Sequence, residues 1–132
     1  MVKQYGAIPF VYDDGELKVV LVTSAAGYWI FPKGSYEKKL GKEGTAALEA
    51  LEEAGVEGRI DKRNAYHAKV FAKSGDRVSL TLYPLEVGTM HSEWDEDYRR
   101  KRTLATMAEA EKLITSEELA ECLFAFQQDY RK

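Results

Sequence analysis

Apolar runs alternate with polar and glycine-rich breaks along the whole chain. Lys3–Tyr12 (KQYGAIPFVY) and Glu16–Ser24 (ELKVVLVTS) read as two strands. Asp13-Asp14-Gly15 lies between them, and Asp-Gly is a hairpin signal. Tyr28–Pro32 (YWIFP) reads as a third, short strand stopped by Pro32. The polar, glycine-punctuated segment Lys33–Gly44 predicts a loop, and loops that long in small domains are usually functional or disordered. A helix is expected over Thr45–Ala54, with Gly55 placed to cap its C-terminus. Arg59–Lys73 and Arg77–Val87 read as two further strands joined at Ser74-Gly75-Asp76. A charged loop leads into a strand near Arg102–Thr106, and Met107–Ile114 suits a short helix. A last helix is expected to begin at Thr115, with Glu118 completing a capping box. Its stripe of Leu119, Leu123, Phe126 and Tyr130 is read as core packing. This order of strands, helix, strands and terminal helices suggests a mixed sheet with helices on its faces.

Composition narrows the class. The chain has 132 residues, 45% of them hydrophobic, which suits one domain over residues 1–132 with an ordinary core. A net charge of −3 does not suggest binding to a nucleic acid polymer. Cys122 is the only cysteine, so no intrachain disulfide forms, and a reducing cytoplasm is the expected compartment. No apolar run approaches the length of a membrane span, and Met1–Gly15 lacks the apolar core of a signal peptide. No membrane partner is therefore expected. Oligomeric state is left open.

The helix at Thr45–Ala54 carries the chemistry. Glu49, Glu52 and Glu53 fall within an arc of about 100°, while Ala47, Ala50, Leu51 and Ala54 occupy another face. Like charges at i,i+3 and i,i+4 cost roughly 0.2–0.5 kcal/mol per pair on an exposed helix. The helix macrodipole also disfavours acids near the C-terminus. A solvated acidic face is one reading. The other is a socket for a hard divalent cation, which binds a few carboxylate oxygens, waters and substrate phosphates. The spacing alone does not choose between them.

A longer pattern does. The segment Gly34–Val56 resembles the Nudix box, G-x5-E-x7-R-E-U-x-E-E-x-G-U with U aliphatic, at Gly34, Glu49, Ala50, Glu52, Glu53, Gly55 and Val56. The preceding LVTSAAGYWIFPKG also resembles the strand and P-[KR]-G entry of Nudix hydrolases. YPLEV and EWDEDYRRKR are similar to the branch that includes diphosphoinositol polyphosphate and diadenosine polyphosphate hydrolases. The resemblance covers about residues 4–126. It implies an α/β/α sandwich with a mixed β-sheet. It also implies hydrolysis of a phosphoanhydride bond in a nucleoside or inositol diphosphate linked to another group. By the same resemblance Glu49 and Glu53 are the principal metal ligands and Glu52 is the general base, with metal ligation as its alternative role. A backbone carbonyl near Gly34 completes the site, and the ion is Mg2+, with Mn2+ possible.

Two positions depart from the pattern. Leu40 stands where the first Glu is expected, and Leu48 where the Arg is expected. Leu48 offers neither charge nor hydrogen bond. Loss of a neighbouring cation raises a carboxylate's pKa and loosens proton-transfer geometry. The rival reading is therefore a catalytically weak or inactive module that binds a nucleotide or polyphosphate. A second rival is an interaction module on the same fold. Candidate substrate contacts are Lys33, which enters the site, Arg100 and Arg102 within the RRKR run, and Trp29 as a stacking surface. For the arginines the alternative is a solvated charge run paired with nearby acids, and for Trp29 it is core packing. Trp94 is expected to act as a lid or a surface anchor.

Overall fold

The computed structural model of the protein describes residues 1–72 and 74–132. Among these residues, eight strands and three helices follow one another. They are β1 (Val2–Asp13), β2 (Glu16–Thr23), β3 (Trp29–Ile30), β4 (Lys33–Ser35), α1 (Gly41–Ala54), β5 (Val56–Ile60), β6 (Tyr66–Phe71), β7 (Arg77–Met90), β8 (Arg102–Thr106), α2 (Met107–Leu113) and α3 (Glu117–Tyr130).

β1 lies at the centre of a mixed sheet. It is antiparallel to β2 through Phe10↔Val19 and Asp13↔Glu16, and parallel to β7 from Val2↔Val78 to Phe10↔Glu86. The β1–β2 hairpin turns at Asp14, whose φ is 53°. On its other edge β7 is long enough to take two more partners, β6 along its first half and β5 along its second. β4 adds to β1, while β3 and β8 add to β2.

Strand alternation sorts the core into two layers. Ala7, Val20 and Val22 pack with Ala50, Ala54, Val56 and Leu85 beneath α1. Their neighbours Ile8, Val19 and Leu21 point the other way and pack with Leu119, Leu123 and Phe126 of α3. The expected α/β/α sandwich is thus built by single-residue alternation in β1 and β2. The stripe on α3 is in the core as expected, with Tyr130 half-buried at its end.

Several boundaries differ from expectation. The segment Arg59–Lys73 forms two strands rather than one, and Lys73 lies outside the described residues. The break has a local cause: the Asp61 carboxylate accepts bonds from the backbone N–H and guanidinium of Arg63 and from the hydroxyl of Tyr130. Those bonds tie up a turn where a ladder would otherwise continue. The loop after Pro32 begins with β4, and α1 starts earlier than expected, at Gly41. The last helix is capped by Ser116 rather than Thr115: its hydroxyl accepts the Leu119 N–H at 3.3 Å and donates to Glu118. A reciprocal capping box occurs instead at Thr106 and Glu109, at the start of α2. No helix among the described residues is long and apolar enough to cross a membrane.

Candidate active site

α1 and β4 build the site between them. β4 runs against β1 with Tyr5 opposite Gly34 and Gly6 opposite Lys33, which sets β4 beneath the C-terminal half of α1. The Lys33 N–H donates to Oε1 of Glu53 at 3.2 Å. The Glu49 carboxyl lies over Gly34, so close that a Cβ at this position would sit 2.2 Å from its Cδ. Only glycine leaves that space open. The carboxyl groups of Glu49 and Glu53 are within hydrogen-bond reach of each other.

The C-terminal end of α1 would leave its last carbonyls unpaired without outside donors. Gly55 ends the helix in the left-handed conformation, φ 66°, and its N–H returns to Leu51 O at 3.0 Å. The segment 91–102 then closes over the remaining carbonyls. Glu96 N–H donates to Glu52 O, Trp94 Nε1 to Glu53 O at 2.9 Å, and Arg102 Nη1 to Ala54 O at 2.9 Å. Arg102 also donates to His91 O and lies 4.0 Å over the Trp94 ring. Trp94 is therefore an anchor for the helix end.

The electrostatics follow from burial. Glu53 is 6% exposed. Burial pushes its carboxyl up to about 8, against the pull of Arg100 and the Lys33 N–H, and the Glu49 carboxyl adds to the rise. Glu49 is raised too, first by burial and then by the charges of Glu52, Glu96 and Glu37. Glu52 is raised by partial burial and by Asp95, Glu96 and Glu37. Burial lowers the Lys33 ammonium, whose Nζ donates to Gln4 Oε1 at 3.1 Å. Glu96 also feels burial, yet donors from Arg100 and Arg99 hold it below the usual carboxylate range.

The sequence candidates separate into four groups. Glu49, Glu53, Gly34 and the Lys33 backbone come together. Glu52 lies near enough for its charge to act on Glu49, and it also faces Glu37, Asp95 and Glu96. Among the described residues no group of three or more His, Cys, Asp or Glu side chains is gathered to hold a metal. The donor set still suits a hard cation: two carboxyl groups pressed together on a glycine backbone are what magnesium needs when it keeps several waters. Trp29 and the Lys33 side chain line a cavity of about 650 Å3, with Tyr28, Ile30, Phe71 and Gln4 in its walls. Arg100 and Arg102, expected on substrate phosphate, do not line it. Both guanidiniums are taken up inside the protein. Arg102 holds carbonyls, and Arg100 bonds Glu53 Oε2 at 3.3 Å, Glu96 Oε1 at 2.9 Å and Thr23 O at 2.8 Å. The alternative reading of the run, arginines paired with nearby acids, holds for Arg99 and Arg100 on Glu96, although Arg100 is largely buried rather than solvated.

No family model matches the chain. Nudix hydrolase 16, mitochondrial, from Arabidopsis thaliana is 31% identical over 123 residues, covering 80% of this chain and 68% of that protein. The chain belongs to the Nudix hydrolase family. Nudix hydrolase 18, mitochondrial, from the same plant is 29% identical, covering 80% of this chain. This Nudix chain spans about 64% of the length of that relative. Its fold matches a C. elegans Ap4A hydrolase, solved as a binary complex, with a TM-score of 0.83 and 19% identity over 98% of this chain and 97% of that one. It also matches the NUDIX domain of Shewanella oneidensis NrtR complexed with ADP ribose, with a TM-score of 0.79 and 15% identity over 98% and 88% of the two chains.

Proposed function

We propose that this chain hydrolyses a phosphoanhydride bond in a nucleoside diphosphate linked to another group, with a divalent cation as cofactor. The observation that carries this reading is the Glu49–Glu53 pair over Gly34, beside a cavity that Lys33 joins to it. Glu49 and Glu53 would hold the cation, with a carbonyl near Gly34, and Mg2+ is the expected ion with Mn2+ as substitute. When bound, the cation supplies charge neutralisation at the phosphoanhydride oxygens. Glu52, half-buried beside that pair, is the proposed general base that takes the proton of the attacking water. Lys33 places a half-buried positive charge where phosphate would lie.

The cavity favours a nucleoside over an inositol polyphosphate. Its walls are mostly apolar, with Trp29, Tyr28 and Phe71 available to a base, and Lys33 is the one cation among the described residues lining it. A densely phosphorylated inositol needs several cations, and the RRKR arginines at 100 and 102 are occupied inside the protein. A dinucleoside polyphosphate is therefore the preferred substrate class. The likeness in fold to the C. elegans protein supports it.

Leu48 gives a specific ground for the second reading, a module that binds without turnover. A magnesium-dependent hydrolysis panel over dinucleoside polyphosphates, inositol pyrophosphates, nucleotide sugars and nucleoside triphosphates separates the two. Hydrolysis is expected for the first class. Glu52→Gln is expected to lower kcat by roughly 100-fold or more with KM little changed. Tight ligand binding with no turnover in folded protein would establish the module instead.

A further inference from the structure

The proposed site lacks the arginine that its box calls for, since position 48 is a leucine. A cation is nevertheless present at the acids. Arg100 comes from the segment that closes over α1, and its Nη2 lies 3.3 Å from Glu53 Oε2. Both side chains are deeply placed, with 12% and 8% of their surfaces exposed. The guanidinium is not free to swing, because its other two edges are fixed: Nη1 donates to Thr23 O at 2.8 Å on β2, and Nε to Glu96 Oε1 at 2.9 Å. Glu96 is itself held by Arg99 and by its N–H on Glu52 O. The Lys33 N–H grips the other oxygen of Glu53 at 3.2 Å. Two rigid donors, one on each oxygen, thus set the carboxylate plane, and lone pairs remain on both oxygens.

We propose that Arg100 stands in for the box arginine: it is a positioning residue that orients the Glu53 carboxylate beside Glu49 so that the pair can grip a divalent cation. The proposal rests on the hydrolase reading above but concerns binding rather than turnover. The Arg100 charge acts on Glu53 as well, but its bond fixes one carboxylate oxygen, so removing Arg100 frees the Glu53 carboxylate to turn. Partners one step removed from a metal typically change affinity by roughly 10–100-fold when lost. The role lay beyond sequence reading because the two residues meet only when the 91–101 segment folds back over α1.

The test is Mn2+ binding to the metal-free protein, followed by the electron spin resonance of free Mn2+, with folding of each variant checked by circular dichroism. Arg100→Ala is expected to weaken Mn2+ binding at least tenfold. In a Glu53→Gln background the same change is expected to have less than a twofold effect, since the group it orients is gone as a ligand. Adding Leu48→Arg to Arg100→Ala is expected to recover at least half of the lost affinity on a logarithmic scale. Arg100→Lys keeps the charge but cannot bond all three partners at once, and is expected to fall between wild type and Arg100→Ala. If Arg100→Ala does not fold, the Arg100→Lys result and its dependence on Glu53 decide alone. Wild-type Mn2+ affinity in folded Arg100→Ala, or an equal loss with and without Glu53→Gln, would overturn the proposal and leave the hydrolase reading standing. Absence of Mn2+ binding in the wild-type protein would overturn both.

Discussion

Gly34 shows how one missing carbon decides a site. A methyl group there would fall 2.2–2.6 Å from three atoms of the Glu49 carboxyl. The obstacle is the tip of a flexible side chain, so the backbone can stay and the carboxyl must move. Gly34→Ala is therefore expected to keep the fold, with a melting temperature within a few degrees of wild type, while Mn2+ affinity falls tenfold or more. Calorimetry and metal titration on the same preparation check both halves. A second prediction concerns protons. Glu49 and Glu53 have raised pKa values, chiefly from burial, with neighbouring acids adding to the rise. Such acids bind more protons in the folded than in the unfolded state. They favour the fold below the ordinary carboxylate range and lose that contribution as pH rises toward about 8. Metal-free protein should become less stable over that window, and Mg2+ should raise the melting temperature more at pH 8 than at pH 5. Thermal scans at both pH values, with and without Mg2+, measure it.

At the scale of elements, the end of α1 is the decisive junction. Three consecutive carbonyls, of Glu52, Glu53 and Ala54, are each taken by a donor from 91–102. Trp94→Phe removes one of those donors and little else, leaving the Glu53 carbonyl unpaired. A loss of about 1–2 kcal/mol in urea unfolding is expected. What sequence could reveal at this scale has a clear limit. Local signals held: the Asp-Gly hairpin, the Gly55 stop and the α3 stripe depend on residues a few places apart. The box residues Gly34, Glu49 and Glu53 were readable as a spacing, and two of the acids do meet. The roles of Arg100 and Arg102 were not readable, because their partners, Thr23, Glu53, Ala54 and His91, lie on other elements. A run of basic residues looks the same whether it faces solvent phosphate or buried carbonyls. The split of β5 from β6 is in part of the same kind, since Tyr130 at the far end of the chain adds to the local Arg63 bonds on Asp61.

At the scale of the whole molecule, the two layers are unequal. The α3 side holds the buried phenylalanines, with Phe126 fully buried against Phe10 and Tyr66, whereas α1 meets the sheet through Ala46, Ala50 and Ala54, with Tyr5 and Tyr83 packed beside Ala46. Small residues let α1 sit close to the sheet, which brings Glu53 down to the level of β4. Cys122 lies in the larger layer, 3% exposed, with its thiol pushed up to about 11 by burial. A disulfide reagent should therefore label native protein more than 100-fold more slowly than unfolded protein, and the native rate should track unfolding across a urea series. Rapid labelling of the folded state would show that α3 opens by itself.

The parallel ladder between β1 and β7 has a further consequence for assembly. Val2 through Phe10 are matched to Val78 through Glu86, so the middle strand of the sheet gains its flank only after most of the polypeptide has been synthesised. On the ribosome the early hairpin must wait with one edge open, exposed to chance pairing with other nascent strands. Refolding of this protein should accordingly be slow for its size and prone to clumping at high concentration.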